Sequence, residues 1–302
     1  MTDLIIIGGG MAGLTAAVYA LRAGKSVFVI EKSAFGGQIT SSPRVDNYPG
    51  LPAISGNALA DALLGQALDL GCEVELEEVG TVKPSENGFI VTAGSSEFTA
   101  RAVIVATGAR PRPLGLSGEE KLVGRGISYC ALCDGAFHKG QDVAVVGGGN
   151  TAAQAAVFLS DLCSHVMVLQ DLDHFTCEQR DLEAMRSRSN ISLQPGMRIS
   201  ALEGEDRLTG LKLQEADGTS TTLPVQGLFV SIGRVPDTEA FSGLLNMDKN
   251  GFLMTDDSLG AGVRGIWAAG DCRHKAVRQL TTAAADGTIA AVNACRFLDE
   301  GR

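Results

Sequence analysis

The residues of this chain best suited to chemistry are two cysteines and an acid in the stretch SYCALCDGAF. Cys130 and Cys133 stand three apart, so both face the same side of one turn and can close into a small disulfide. Asp134 follows directly, and a carboxylate beside a thiol pair can move the proton that thiol–disulfide exchange requires. Two other chemistries use paired thiols. A structural metal site would need typically four ligands, but the other candidates (His138, Cys163, His165, His174 and Cys177) are dispersed and no second CxxC exists. No metal is therefore expected. A pair of inert, buried thiols is the other alternative.

A redox pair needs a framework, and two glycine-rich turns supply it. Gly8-x-Gly10-x-x-Gly13 follows the apolar run LIII, and Gly147-x-Gly149-x-x-Ala152 follows DVAVV. In each, the last small residue precedes the end of the next apolar run by 18 positions, at Glu31 and at Gln170. Such a unit turns tightly, lets a pyrophosphate approach the backbone, and offers unpaired N–H groups and a positive dipole at a helix start. Glu31 is placed to accept from a ribose hydroxyl. The second copy ends instead on Gln170-Asp171-Leu172, a degenerate nucleotide site. Near the C-terminus, Asp271 in GDCRHKAVRQL lies on a turn leading to a last helix from about Thr281. The positive end of that helix would stabilise a ring that gains negative charge on reduction.

These signals give an α/β chain of two Rossmann-like, three-layer β/β/α dinucleotide-binding domains, the second inserted into the first. Residues 1–110 and 245–302 form the first domain, and 111–244 form the inserted one carrying the CxxC. The first exit follows EFTARAVIVATGARPRPLG. The second follows GLFVSIGRVPDTEAF, after which GIWAAGDC returns to the first domain. Crossings at two points permit one domain to rotate against the other.

With 35 acidic against 25 basic residues, the formal charge is −10, which argues against nucleic acid or an anionic membrane as partner. No apolar run approaches the ~18 residues that span a bilayer. The opening MTDLIIIGGG reads as a buried strand rather than a secretion leader. Seven cysteines, five of them scattered, suit a reducing cytoplasm. The chain ends at RFLDEGR, and no further cysteine-bearing tail is expected.

The stretches GGGMAGLTAAVYALRAG, GGQITSSPRVDNYPG, ATGARPRPLG, CALCDGAF, VVGGGNTAAQAA, GLFVSIGRVPDT and AAGDC…RQLTTAAADG occur in this order over nearly the whole chain. Taken together, they resemble the low-molecular-weight, bacterial-type thioredoxin reductases. The resemblance implies a homodimeric flavoprotein oxidoreductase with one FAD per chain. It carries FAD contacts onto Gly8, Gly10, Gly13, Glu31, Gly37, Gln38, Asn47, Thr107, Gly108, Asp271, Arg278, Gln279 and Leu280. It further implies that Cys133 lies nearer the flavin, that Cys130 exchanges with a thioredoxin-like protein, that Asp134 is the acid–base, and that the inserted domain rotates. Phe137 stands where the family places a docking aromatic, with core packing as the alternative reading.

The chain departs from the family at the second turn. Reductases that use NADPH carry HRRxxxR there, with arginines on the 2′-phosphate; this chain reads QDLDHFT, so Gln170, Asp171, Leu172 and Thr176 replace those residues. Gln154 also replaces a usual glutamate. Each lost charge-assisted contact removes ~1.5–3 kcal/mol, so NADPH is not expected. A ferredoxin-type donor is favoured, with NADH on Asp171 or an additional FAD in the second site as alternatives. Two rivals share the architecture. One is a small-molecule dithiol oxidase, which tends to carry histidine where Asp134 stands. The other is a flavin redox sensor without turnover.

Overall fold

The computed structural model describes every residue except Pro43, Arg44, Asp46, Ala216, Asp217, Gly301 and Arg302. The chain divides into two units, Met1–Arg110 with Val235–Arg302, and Pro111–Arg234.

In the first unit, strands Thr2–Ile7, Val27–Glu31, Glu73–Leu76, Ser96–Val105 and Ile266–Ala268 form a parallel sheet, with Thr2–Ile7 between Val27–Glu31 and Ser96–Val105. Successive side chains of a strand point to opposite faces, and here both faces are buried. Leu4, Ile6, Val27, Val29 and Ile104 pack on helices Met11–Arg22, Gly56–Asp69 and Leu280–Glu300. Ile5, Ile7, Ile30 and Val105 face the other way, onto Val82, Phe89 and Val91. Those three belong to an antiparallel layer, Val79–Ser85 and Gly88–Ala93, which pairs with the first half of Ser96–Val105. Each fully buried Leu or Ile contributes about 1.5–3 kcal/mol, so the near-continuous apolar runs of the sequence follow from two-sided burial.

The second unit repeats the plan. Strands Ile191–Pro195, His165–Gln170, Asp142–Val146, Gly227–Val230 and Ile127–Ser128 are parallel in that spatial order. The antiparallel layer is Arg198–Glu203, Gly210–Gln214 and Ser220–Pro224. Val143, Val145, Val166 and Val168 meet helix Asn150–Ser160 on one face, while Ala144, Val146 and Leu169 meet Leu211 and Leu213 on the other.

The return to the first unit comes at Val235, not at 245 as the sequence suggests. GRVPDTEAF contains the crossing itself: Arg234–Pro236 pairs with Ala109–Pro111 in a two-stranded sheet. The residues that follow already belong to the first core, where Phe241 is 1% exposed beside Leu253 and Ile266. Among the described residues, no helix is long and apolar enough to cross a membrane.

Helix Leu280–Glu300 meets the first helix through Gly287, where an added Cβ would stand 2.2 Å from the Ala12 carbonyl oxygen. Gly287→Val should therefore force the helices apart and destabilise the protein by about 1–3 kcal/mol. Urea unfolding measures this; an unchanged midpoint would contradict the close packing.

Candidate active site

The first glycine turn is set by backbone contact. Gly8 has φ +108°, and a Cβ there would meet the Ala106 carbonyl oxygen at 2.3 Å; at Gly13 it would meet that of Gly8 at 1.8 Å. Gly10 is different: its Cβ would find only the Gly36 oxygen, at 3.8 Å. The space over Gly10, at the start of helix Met11–Arg22, is thus open to a ligand. Glu31 is buried and ties the turn to the second strand, accepting from the Gly9 N–H at 2.7 Å and the Ser33 N–H at 3.0 Å. The Gly36 N–H closes the turn on the Gly9 carbonyl at 2.7 Å.

Other residues gather around this turn within the same unit. A pocket beside Glu31 is lined by Gly8, Glu78, Val79, Thr107 and Phe241, with the Lys32–Asp237 ion pair among its lining residues. The Thr107 Oγ1 is enclosed, and beyond a weak contact with the buried Cys272 thiol its hydrogen-bonding capacity is open to a ligand. Gly37 and Gln38 open the short turn Gly37–Ser41, and the Gln38 amide donates to the Ala109 carbonyl, next to Gly108. Asn47 donates to Gln279 at 3.1 Å, joining two segments far apart in sequence. Arg278 stacks on Phe252 at 4.2 Å and donates to the Lys275 carbonyl at 3.0 Å, just ahead of Leu280, where the last helix begins. Asp271 sits in the turn Gly270–Cys272. An enclosed hydroxyl with only a weak thiol neighbour and a bare glycine cradle fit a bound dinucleotide such as FAD.

Asp286, which sequence reading did not single out, holds the Asp271 turn. It is buried in the last helix and accepts from the Gly270 N–H at 3.0 Å, Arg273 at 2.9 and 3.0 Å, and Lys275 at 2.7 Å. Burial alone would raise its pKa, but Arg273 and Lys275 hold it below the usual carboxylate range. The only signal in the sequence is an acid set among the alanines in the first half of that helix.

The second turn keeps the backbone and changes the chemistry. Gly147 has φ +134°, with the Ser231 carbonyl oxygen 2.4 Å from its added Cβ. The Thr176 N–H closes the turn on the Gly148 carbonyl at 2.8 Å. Gln170 is buried with its amide lying over Gly148, in the place that Glu31 has beside Gly9, and accepts from the Asp171 N–H at 3.1 Å. Beyond it the loop is exposed and acidic: Asp171, Leu172, Asp173 and Glu178 all face solvent. His174 pairs with Asp173 at 2.6 Å, and Glu178 exchanges hydrogen bonds with Asn150. Gln154 donates to Asp181 at 3.3 Å. Ala152, the third small residue, is buried against the strands.

Cys130 and Cys133 are joined in a disulfide, Cα atoms 5.3 Å apart, at the short helix Ala131–Asp134. Their loop has two buried polar anchors. Glu119 accepts from the Leu114 and Gly115 N–H groups and from the Tyr129 hydroxyl at 2.6 Å; burial and then Glu119 push that phenol's pKa up. Ser128 accepts from the Cys130 N–H at 3.0 Å and donates to Asp134 at 2.6 Å. Neither anchor announces itself in the sequence. Leu132 and Phe137 flank the disulfide and are 55% and 46% exposed, so Phe137 is not core packing.

The chain matches the family model for pyridine nucleotide-disulphide oxidoreductases over residues 2–287. It is 39% identical to a thioredoxin reductase of Listeria monocytogenes, covering 99% of this chain and 94% of that protein. It is 37% identical to the "34.2 kDa protein in rubredoxin operon" of Clostridium pasteurianum, covering 98% and 97%. The crystal structure of thioredoxin reductase from Streptococcus pyogenes superposes with a TM-score of 0.94 at 34% identity, covering 99% of each chain.

Asp286→Asn should leave Lys275 and Arg273 facing a neutral amide and cost roughly 3 kcal/mol at neutral pH. Because the folded pKa of Asp286 is lowered, its contribution is full above the unfolded carboxylate value of about 4 and is lost as pH falls through the lower folded value. Urea unfolding at several pH values should show wild type and variant converging in acid; a gap that persists there would contradict the ion-pair account.

Proposed function

The chain belongs to the pyridine nucleotide-disulphide oxidoreductases, as a low-molecular-weight thioredoxin reductase type of enzyme, and from that premise we propose its substrate and its electron donor. The enzyme reduces the disulfide of a thioredoxin-type protein through Cys130 and Cys133. Its electrons come from a ferredoxin-type carrier rather than from NADPH. The same reading carries a homodimer in the cytoplasm, where thiols stay reduced. Burial pushes Cys72, Cys163 and Cys272 up to about 11, which keeps them unreactive there.

The observation that supports the exchange chemistry is the disulfide with Asp134 held beside it. FAD, when bound, supplies a carrier that takes up electrons singly or in pairs. The first turn (Gly8, Gly10, Gly13) would hold its pyrophosphate, Glu31 its ribose, and Thr107 and Asp271 the remainder. In the reduced enzyme the Cys130 thiol gives its proton to Asp134 and attacks one sulfur of the substrate disulfide. The sulfur released takes the proton back from Asp134. The Cys133 thiol then attacks Cys130 in the mixed disulfide and gives up its proton. The second substrate thiol leaves with that proton, and the Cys130–Cys133 bond is restored. Leu132 and Phe137 offer apolar surface for the incoming protein.

The acidic, exposed loop after Gln170 supports the donor assignment. Asp171 and Leu172 stand where arginines would grip a 2′-phosphate, and Thr176 replaces the last of them. Three lost contacts weaken NADPH roughly a thousandfold or more relative to a reductase that has them. The relative named for a rubredoxin operon is in keeping with a small electron-carrying protein as donor. Asp171 favours NADH as the second reading, since a carboxylate suits ribose hydroxyls.

Cys130→Ser should abolish reduction of oxidised thioredoxin by the photoreduced protein while FAD stays bound; undiminished turnover would overturn the assignment. Mixed anaerobically with NADPH, NADH and reduced ferredoxin in turn, the yellow protein should bleach fastest with ferredoxin. Fast bleaching by NADPH would contradict the donor assignment, and fast bleaching by NADH alone would favour the second reading.

A further inference from the structure

Ser128 ends the short strand Ile127–Ser128 and is 4% exposed. Its Oγ lies 2.6 Å from Asp134 Oδ2, 3.0 Å from the Cys130 nitrogen and 3.3 Å from the Cys130 carbonyl oxygen. A hydroxyl has one proton and two lone pairs. The Cys130 N–H can only donate, so it takes one lone pair. An ionised carboxylate can only accept, so it takes the proton.

We propose that Ser128 positions Asp134 for disulfide exchange by serving the carboxyl group in both of its protonation states. This rests on the exchange mechanism given above. While Asp134 is ionised, Ser128 donates to it. Once Asp134 has taken the Cys130 proton, its O–H donates to the second lone pair of Ser128. The Ser128 proton then turns to the Cys130 carbonyl at 3.3 Å, as a third donor beside the Cys133 N–H at 3.2 Å and the Asp134 N–H at 3.0 Å. No heavy atom moves, and the acid stays in register with the sulfur it serves through the whole proton cycle.

The titratable groups around Asp134 are the two thiols and His138. His138 is buried, and burial pushes its pKa down, so it is neutral near pH 7; its Nδ1 lies 2.9 Å from the Gln141 side-chain oxygen. Arg207 acts on His138 from the loop between strands Arg198–Glu203 and Gly210–Gln214. Neither supplies a second donor that could stand in for Ser128.

The test is the pre-steady-state rate at which dithiothreitol-reduced protein, freed of reductant, reduces dithiobis-nitrobenzoate between about pH 5 and pH 9. Flavin absorbance and the thermal midpoint monitor folding. Ser128→Ala should slow exchange about tenfold near neutral pH. It should also move the rate profile to higher pH, because losing a donor favours the protonated carboxyl. Ser128→Thr, which keeps the hydroxyl, should restore rate and profile to within about twofold. Asp134→Asn should slow exchange by about a hundredfold, and adding Ser128→Ala to it should cost nothing more. An equal tenfold loss in both backgrounds, or a slowed rate with an unmoved profile, would overturn the positioning role and leave the exchange mechanism standing. Full activity of Asp134→Asn, with Cys130→Ser inactive, would overturn the acid–base assignment and this inference with it.

Discussion

One contact recurs at the centre of each half of the molecule: the residue ending the second strand lies against the middle glycine of the turn. Glu31 takes the Gly9 N–H, and Gln170 lies over Gly148. The turn can approach that residue only because the backbone has no Cβ to interpose. The same contact fixes the helix start, and with it the N–H groups that would face a pyrophosphate. A carboxylate there is an acceptor for ribose hydroxyls. An amide both donates and accepts, and contributes no charge. The two halves thus share a backbone and differ in what they can recognise.

Two buried polar groups of the second unit, Glu119 and Ser128, hold the CxxC loop. Glu119 fixes Tyr129, and Ser128 fixes both Cys130 and Asp134, so the residues on either side of the first sulfur are hydrogen-bonded into the fold. Thiol–disulfide exchange depends on an in-line approach and a timely proton. Anchored backbone on one side and an exposed apolar rim of Leu132 and Phe137 on the other suit a loop that meets a large partner. The first unit holds its own key turn in the same manner, with Asp286 drawing Gly270, Arg273 and Lys275 onto the last helix.

Local signals were legible in the sequence. The glycine turns follow from backbone sterics acting over a few residues, and the paired strands Thr2–Ile7 and Val27–Glu31 follow from apolar runs buried on both faces. The CxxC and its acid are contiguous. What could not be read were long-range pairings: Asp286 reaches back to Gly270 and Arg273, and Glu119 reaches forward to Tyr129, through side chains of ordinary type. The misplaced return to the first unit has a similar cause. GRVPDTEAF looks like the tail of a strand-and-turn unit, but Phe241 is claimed by the core of the other unit, a choice that only packing reveals.

The central claim is that the disulfide is an electron store in series with the flavin. Anaerobic titration with dithionite, followed by flavin absorbance and by thiol counting, tests it most directly. The account predicts that the wild-type protein takes up more electrons than its flavin alone accepts. The surplus should match one disulfide, and it should vanish in Cys133→Ser. Equal uptake in the two proteins, with Cys130 and Cys133 still bonded in the wild type after the flavin is fully reduced, would contradict it.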